Sequence, residues 1–155
     1  MKLHLLFAVC TLALSCGDSG GGAVDASDDG MIGCKTDPLA QVYTANMTQM
    51  GPNHMTFMLV SGNPAPPAKY NNTWTIKLLD GAGHPVTDAT MSAMPFMPRH
   101  GHGTSIVPTV TNNGDGTYGV GILYFFMAGL WQVTLQVTQS SAGADTGIFS
   151  FCVEG

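Results

Sequence analysis

Apolar and polar residues alternate without a break through residues 130–139, where Trp131, Val133, Leu135 and Val137 interleave with Gln132, Thr134, Gln136 and Thr138. Strand side chains point to opposite faces in turn, so this pattern predicts a strand with one buried and one wet face. Residues 73–80 repeat it, with Trp74, Ile76 and Leu78 on one side. In residues 118–126, Tyr118, Val120, Ile122, Tyr124 and Phe126 share a face. The other face (Gly119, Gly121, Leu123, Phe125) is also apolar, which predicts a central strand. Further strands are expected at 55–61 and 147–153. No stretch of a dozen residues carries a helical stripe.

Turn signals separate these runs. Asp80-Gly81-Ala82-Gly83 closes one strand, and Asn112-Asn113-Gly114-Asp115-Gly116 predicts a hairpin loop. Asn63-Pro64-Ala65-Pro66-Pro67 is expected to prevent regular pairing between 55–61 and the strand at Thr73, because proline donates no ladder hydrogen bond. Roughly seven strands without helices in about 120 residues predict an all-β fold, an immunoglobulin-like β-sandwich. The domain is expected to span residues 34–155.

The first residues follow a different logic. Lys2 followed by Leu3, Leu5, Leu6, Phe7, Ala8, Val9, Leu12, Ala13 and Leu14 has the layout of a secretory signal, too short to span a bilayer. Leu12-Ala13-Leu14-Ser15-Cys16 resembles the lipobox of bacterial lipoproteins. That resemblance implies a signal peptide over 1–15, lipidation of Cys16, and a lipid anchor to a membrane of the bacterial cell envelope, on its periplasmic or outer-membrane face. Residues 16–33, rich in Gly, Ser, Ala and Asp, are expected to form a flexible tether.

Charge narrows the partners. The chain carries 5 Lys and Arg against 10 Asp and Glu, a net charge of −5. Within 34–155 the balance is only −2, with Lys35, Lys69, Lys77 and Arg99 as the cations. No basic face is available for nucleic acid, which is not expected as a partner. Of the four cysteines, Cys34 and Cys152 stand at the two ends of the domain and are expected to pair in an oxidising compartment.

Candidate chemistry concentrates in residues 91–103, Met91-Ser92-Ala93-Met94-Pro95-Phe96-Met97-Pro98-Arg99-His100-Gly101-His102-Gly103. Thioether sulfur and imidazole nitrogen together suit copper, above all Cu(I). The prolines and glycines are expected to make the segment a shaped loop at the sandwich edge. Met94, Met97, His100 and His102 are the candidate ligands, the two histidines sharing a face if locally extended. Met91, on the parity of Ala89 and Ala93, and Met127, before Gly129, are secondary candidates. Met47, Met50, His54, Met55 and Met58 read as packing around one strand, with a second metal site as the alternative. His84 reads as an exposed turn residue. No catalytic constellation emerges, and no enzymatic activity is expected.

Asp80-Gly81, His84-Pro85-Val86, Ala89, Met94-Pro95, His100-Gly101-His102-Gly103, Asp115-Gly116-Thr117-Tyr118 and Met127-Ala128-Gly129-Leu130-Trp131 together resemble the YtkA-like domain and are similar to the FixH proteins. The resemblance runs over residues 73–137 and is interrupted by Phe96-Met97-Pro98-Arg99 between the Met-Pro and His-Gly blocks. It implies an envelope β-sandwich associated with copper handling, without catalysis. The expected role is a membrane-tethered Cu(I) chaperone, buffer or resistance factor that exchanges metal with a copper-donating or copper-accepting protein. Two rivals stand beside it: an immunoglobulin-like lipoprotein that contacts other proteins without metal, and an accessory factor for respiratory oxidase assembly.

Overall fold

A computed structural model of the chain describes residues 34–140 and 143–155. The expected signal peptide, the expected tether and Cys16 lie outside the described residues. Among those described, every regular element is a strand: β1 (Met47–Met50), β2 (Thr56–Asn63), β3 (Tyr70–Leu79), β4 (Thr90–Met97), β5 (His102–Gly103), β6 (Thr109–Asn112), β7 (Thr117–Phe125), β8 (Gly129–Gln139) and β9 (Gly143–Val153). They form two antiparallel sheets, β1-β2-β3-β7-β6 and β5-β4-β8-β9. The expected all-β sandwich is therefore the observed one. The strands beyond seven come from short pieces such as β5, which is two residues long.

The period of two delivers the core directly. Trp131, Val133, Leu135 and Val137 of β8 face Trp74, Ile76 and Leu78 of β3, and all are buried. Trp74 meets Phe149 and Phe151 edge-on, with centroids 6.0 and 5.6 Å apart. The buried Tyr118 hydroxyl donates to Val86 O (2.9 Å) and accepts from the Ala89 N–H (3.2 Å), tying β7 to the lead-in of β4. Cys34 and Cys152 form a disulfide, Cα atoms 5.3 Å apart, that joins the start of the domain to β9.

Three expectations change. First, β2 and β3 do pair, from Thr56↔Leu79 to Asn63↔Thr73, with a bulge between Leu59 and Ser61. The prolines begin only after Asn63, beyond the end of the ladder, so their missing donors cost it nothing. Second, β7 does not keep one parity. Against β3, Asn72↔Leu123 is followed by Trp74↔Val120, so β7 carries one extra residue there. A bulge of this kind reverses the alternation. Tyr118 and Val120 enter the core before it, Leu123 and Phe125 after it, and Ile122 and Phe126 are turned outward. Third, residues 90–97 are a paired strand rather than a loop. Along 90–95 β4 pairs only with β8, which makes it an edge there. A Cβ at Gly103 would sit 2.7 Å from Pro95 O, so that carbonyl points away from β8, towards β5. Pro95 is thus in a non-hydrogen-bonded pair with Val133, where its missing N–H is not needed.

Candidate metal centre

Strand parity sorts the six candidate ligands. Met91, Ala93, Pro95 and Met97 of β4 face inward; Ser92, Met94 and Phe96 face outward. Met97 is wholly buried and Met94 is 56% exposed on the opposite face. The structure therefore separates Met94 from Met97, although the sequence places them three apart. Met91 is in the core, six residues along the strand from Met97, which at about 3.3 Å per residue is some 20 Å. It belongs to packing and not to the candidate centre. Met127 lies in the β7–β8 turn and packs partly buried against the core, its carbonyl accepting the Trp131 Nε1–H at 2.9 Å.

Met97, His100 and His102 do come together. Met97 is the register partner of His102, so the two side chains leave the same face of the β4–β5 pair. Between them the chain turns tightly: the N–H groups of His100 and Gly101 both donate to Met97 O, at 3.1 and 2.9 Å. Gly101 closes this turn at φ +70°, a conformation that glycine adopts without steric cost. The His100 and His102 rings stand 5.7 Å apart, centroid to centroid. Two imidazoles sharing one metal through bonds of about 2 Å have centroids about 5–6 Å apart, so the separation suits a common ion.

Gly129 forms the floor. A Cβ built there would lie 2.6 Å from the Met97 methyl carbon and 3.7 Å from His100 Nε2, which places both groups around one point. Phe126 forms a wall: it stacks on His102 (5.5 Å, 27°) and meets Trp131 edge-on (5.6 Å, 78°). Sequence reasoning missed Phe126 because it placed the residue on one face of a continuous strand, whereas β7 ends at Phe125 and Phe126 opens the turn to β8. It also missed Gly129 as a site residue, although the Met127–Trp131 block contains it.

Carboxylates take no part. Among the described residues, no three His, Cys, Asp or Glu side chains are grouped to hold a metal, so oxygen ligands do not supply a cage. Arg99, beside His100, is tied instead to Asp37, its Nε 2.6 Å from Oδ2 and its Nη2 3.0 Å from Oδ1. The hydrogen bonds from Arg99 hold the Asp37 carboxyl below its ordinary value, and those to Asp37 raise the guanidinium.

The second methionine group disperses. Met55 is in the core, Met47 packs partly against it, and Met50 is 72% exposed. His54 is exposed at φ +68°, and His84 is exposed with Nδ1 3.3 Å from Asp80 Oδ2. No helix among the described residues is long and apolar enough to cross a membrane.

The family profile of YtkA-like domains matches residues 49–136, from the end of β1 through most of β8, and takes in every residue of the candidate centre. The soluble domain of PmoD from Methylocystis sp. (Rockwell) superposes over 70% of this chain and 97% of its own, at 14% identity and a TM-score of 0.43. No curated protein matches by sequence.

Proposed function

Taking as premise that the chain belongs to the YtkA-like family, we propose that it is an envelope metal-binding protein that carries Cu(I) at Met97, His100 and His102. The observation that supports this reading is the approach of the Met97 methyl end and His100 Nε2 to the same point above Gly129, with the His102 ring 5.7 Å from that of His100. Thioether and imidazole donors without carboxylates favour Cu(I) over hard cations such as Mg²⁺ or Ca²⁺. The thioether binds without losing a proton, whereas the imidazoles must be neutral. His100 lies on an exposed turn while Met97 is buried, so metal would enter from the histidine side and leave by ligand exchange. The role is binding and hand-over, as chaperone, buffer or resistance factor, rather than catalysis. Lipidation at Cys16 would hold the domain at a membrane, within reach of a copper-donating or copper-accepting protein.

The test is Cu(I) titration of the purified chain. About one ion per chain is expected. Met97→Leu and the double change His100→Ala with His102→Ala should each weaken binding strongly; Met94→Leu, His54→Ala and His84→Ala should not. Stoichiometric copper that survives loss of Met97, His100 and His102 would defeat the assignment. A copper content near zero in the unaltered protein would favour the rival in which the Met-rich segment, with Met94 exposed, contacts another protein without metal.

A further inference from the structure

The turn that carries His100 leaves β4, which β8 holds through Phe96, and closes on Met97 O. Its far side is slighter: β5 is two residues long and pairs only Phe96↔Gly103 and Met97↔His102. A further hold comes from the other end of the chain.

Residues 34–41 form a strap of turns beside β9, its two ends fixed two residues apart on that strand. Cys34 is bonded to Cys152, and at the far end the Gln41 N–H donates to Ser150 O (2.8 Å) while the Ser150 N–H donates to Gln41 Oε1 (3.0 Å). Asp37 lies between these anchors. Its N–H reaches Cys34 O (3.3 Å), its carbonyl accepts from the Ala40 N–H (2.9 Å), and its Oδ1 accepts from the Leu39 N–H (2.9 Å). Its side chain is 8% exposed, against 55% for Arg99, so the carboxylate is the fixed partner and the guanidinium comes to it. The two-pronged geometry leaves Arg99 one orientation, and His100 is the next residue. The loop closes on the site: Cys152 pairs in register with Leu130, the neighbour of the Gly129 floor.

We infer that Asp37 is a positioning residue of the metal centre, holding the 98–101 turn through Arg99 so that the His100 imidazole stands beside Met97 and His102. The inference rests on the Cu(I) reading of that site. A group bonded directly to a ligating imidazole is commonly worth about ten- to a hundredfold in affinity; Asp37 acts one residue further out, through Arg99, so the lower end of that range is its ceiling.

The experiment uses the full chain, with Cu(I) affinity read by competition against a chromophoric Cu(I) chelator. Asp37→Asn, which keeps shape and loses charge, should weaken binding by up to about tenfold. Arg99→Lys should also weaken it, because an ammonium keeps the charge and loses the fork. Asp80→Asn removes a carboxylate that holds a turn elsewhere, and should leave affinity unchanged at a similar cost in melting temperature. A second readout needs no metal: the nuclear Overhauser contact between the His100 and His102 rings should be present in the unaltered protein and lost in Asp37→Asn. Retention of both that contact and the affinity in Asp37→Asn overturns the inference. If the unaltered protein holds no Cu(I), the copper reading fails, and the ring contact alone decides the positioning: loss upholds it, retention overturns it.

Discussion

Met97 and Gly129 come from different strands and share one small space: a Cβ at position 129 would stand 2.6 Å from the Met97 methyl carbon. Gly129 also sits at φ +134°, where side-chain-bearing residues are strained. Gly129→Ala should therefore both strain the backbone and push the buried thioether off its place. A stability loss of about 1–3 kcal/mol is expected in urea unfolding, together with weakened Cu(I) binding. Gly114→Ala is the control. It has positive φ but nothing within 4 Å, so it should lose stability alone.

The disulfide closes a span of 118 residues. Cys34→Ser with Cys152→Ser should lower stability by up to about 4–5 kcal/mol in the chain-entropy account. Because the strap loses its anchor at Cys152, Cu(I) affinity should fall as well. A thiol count under denaturing conditions without reductant should find neither Cys34 nor Cys152 free.

Among the described residues, three carboxyl groups sit below the ordinary aspartate value of 3.8: Asp37 through Arg99, Asp80 through the His84 N–H, and Asp115 through the Thr117 hydroxyl. A depressed folded value means that the unfolded chain takes up the proton first. The stabilisation is complete above about 3.8 and is lost as pH falls through the lower folded values. Chemical unfolding as a function of pH should show a plateau that declines below that point. Asp115→Asn should be less stable on the plateau, and the difference should vanish in strong acid.

Cys16→Ser should move the protein from the membrane fraction to the soluble envelope fraction with the domain still folded. The check is fractionation together with the mass of the mature chain. A mature mass without acyl groups in the unaltered protein would dispose of the anchor.

The sequence by itself determined the class of fold, because burying one face of a strand writes a period of two into the chain. Trp131 to Val137 and Trp74 to Leu78 could be read into the core in that way, and the hairpin at Asn112–Gly116 from its turn residues. Cys34 and Cys152 were legible as a pair from their isolation at the domain's ends. His100 and His102 were legible as neighbours because they are two residues apart. What the tertiary structure decided lies in parity and in distance along the chain. Whether Met94 or Met97 faces the histidines depends on which face of β4 packs on the other sheet, and the methionines are chemically alike. Phe126 reaches the site from just past the end of β7, in the turn to β8, where the alternation of a strand no longer says which way a side chain points. Asp37 and Arg99 are 62 residues apart. Nothing local links them; the disulfide and the Gln41–Ser150 bonds fix the start of the domain to the end of β9, and from there Asp37 reaches Arg99.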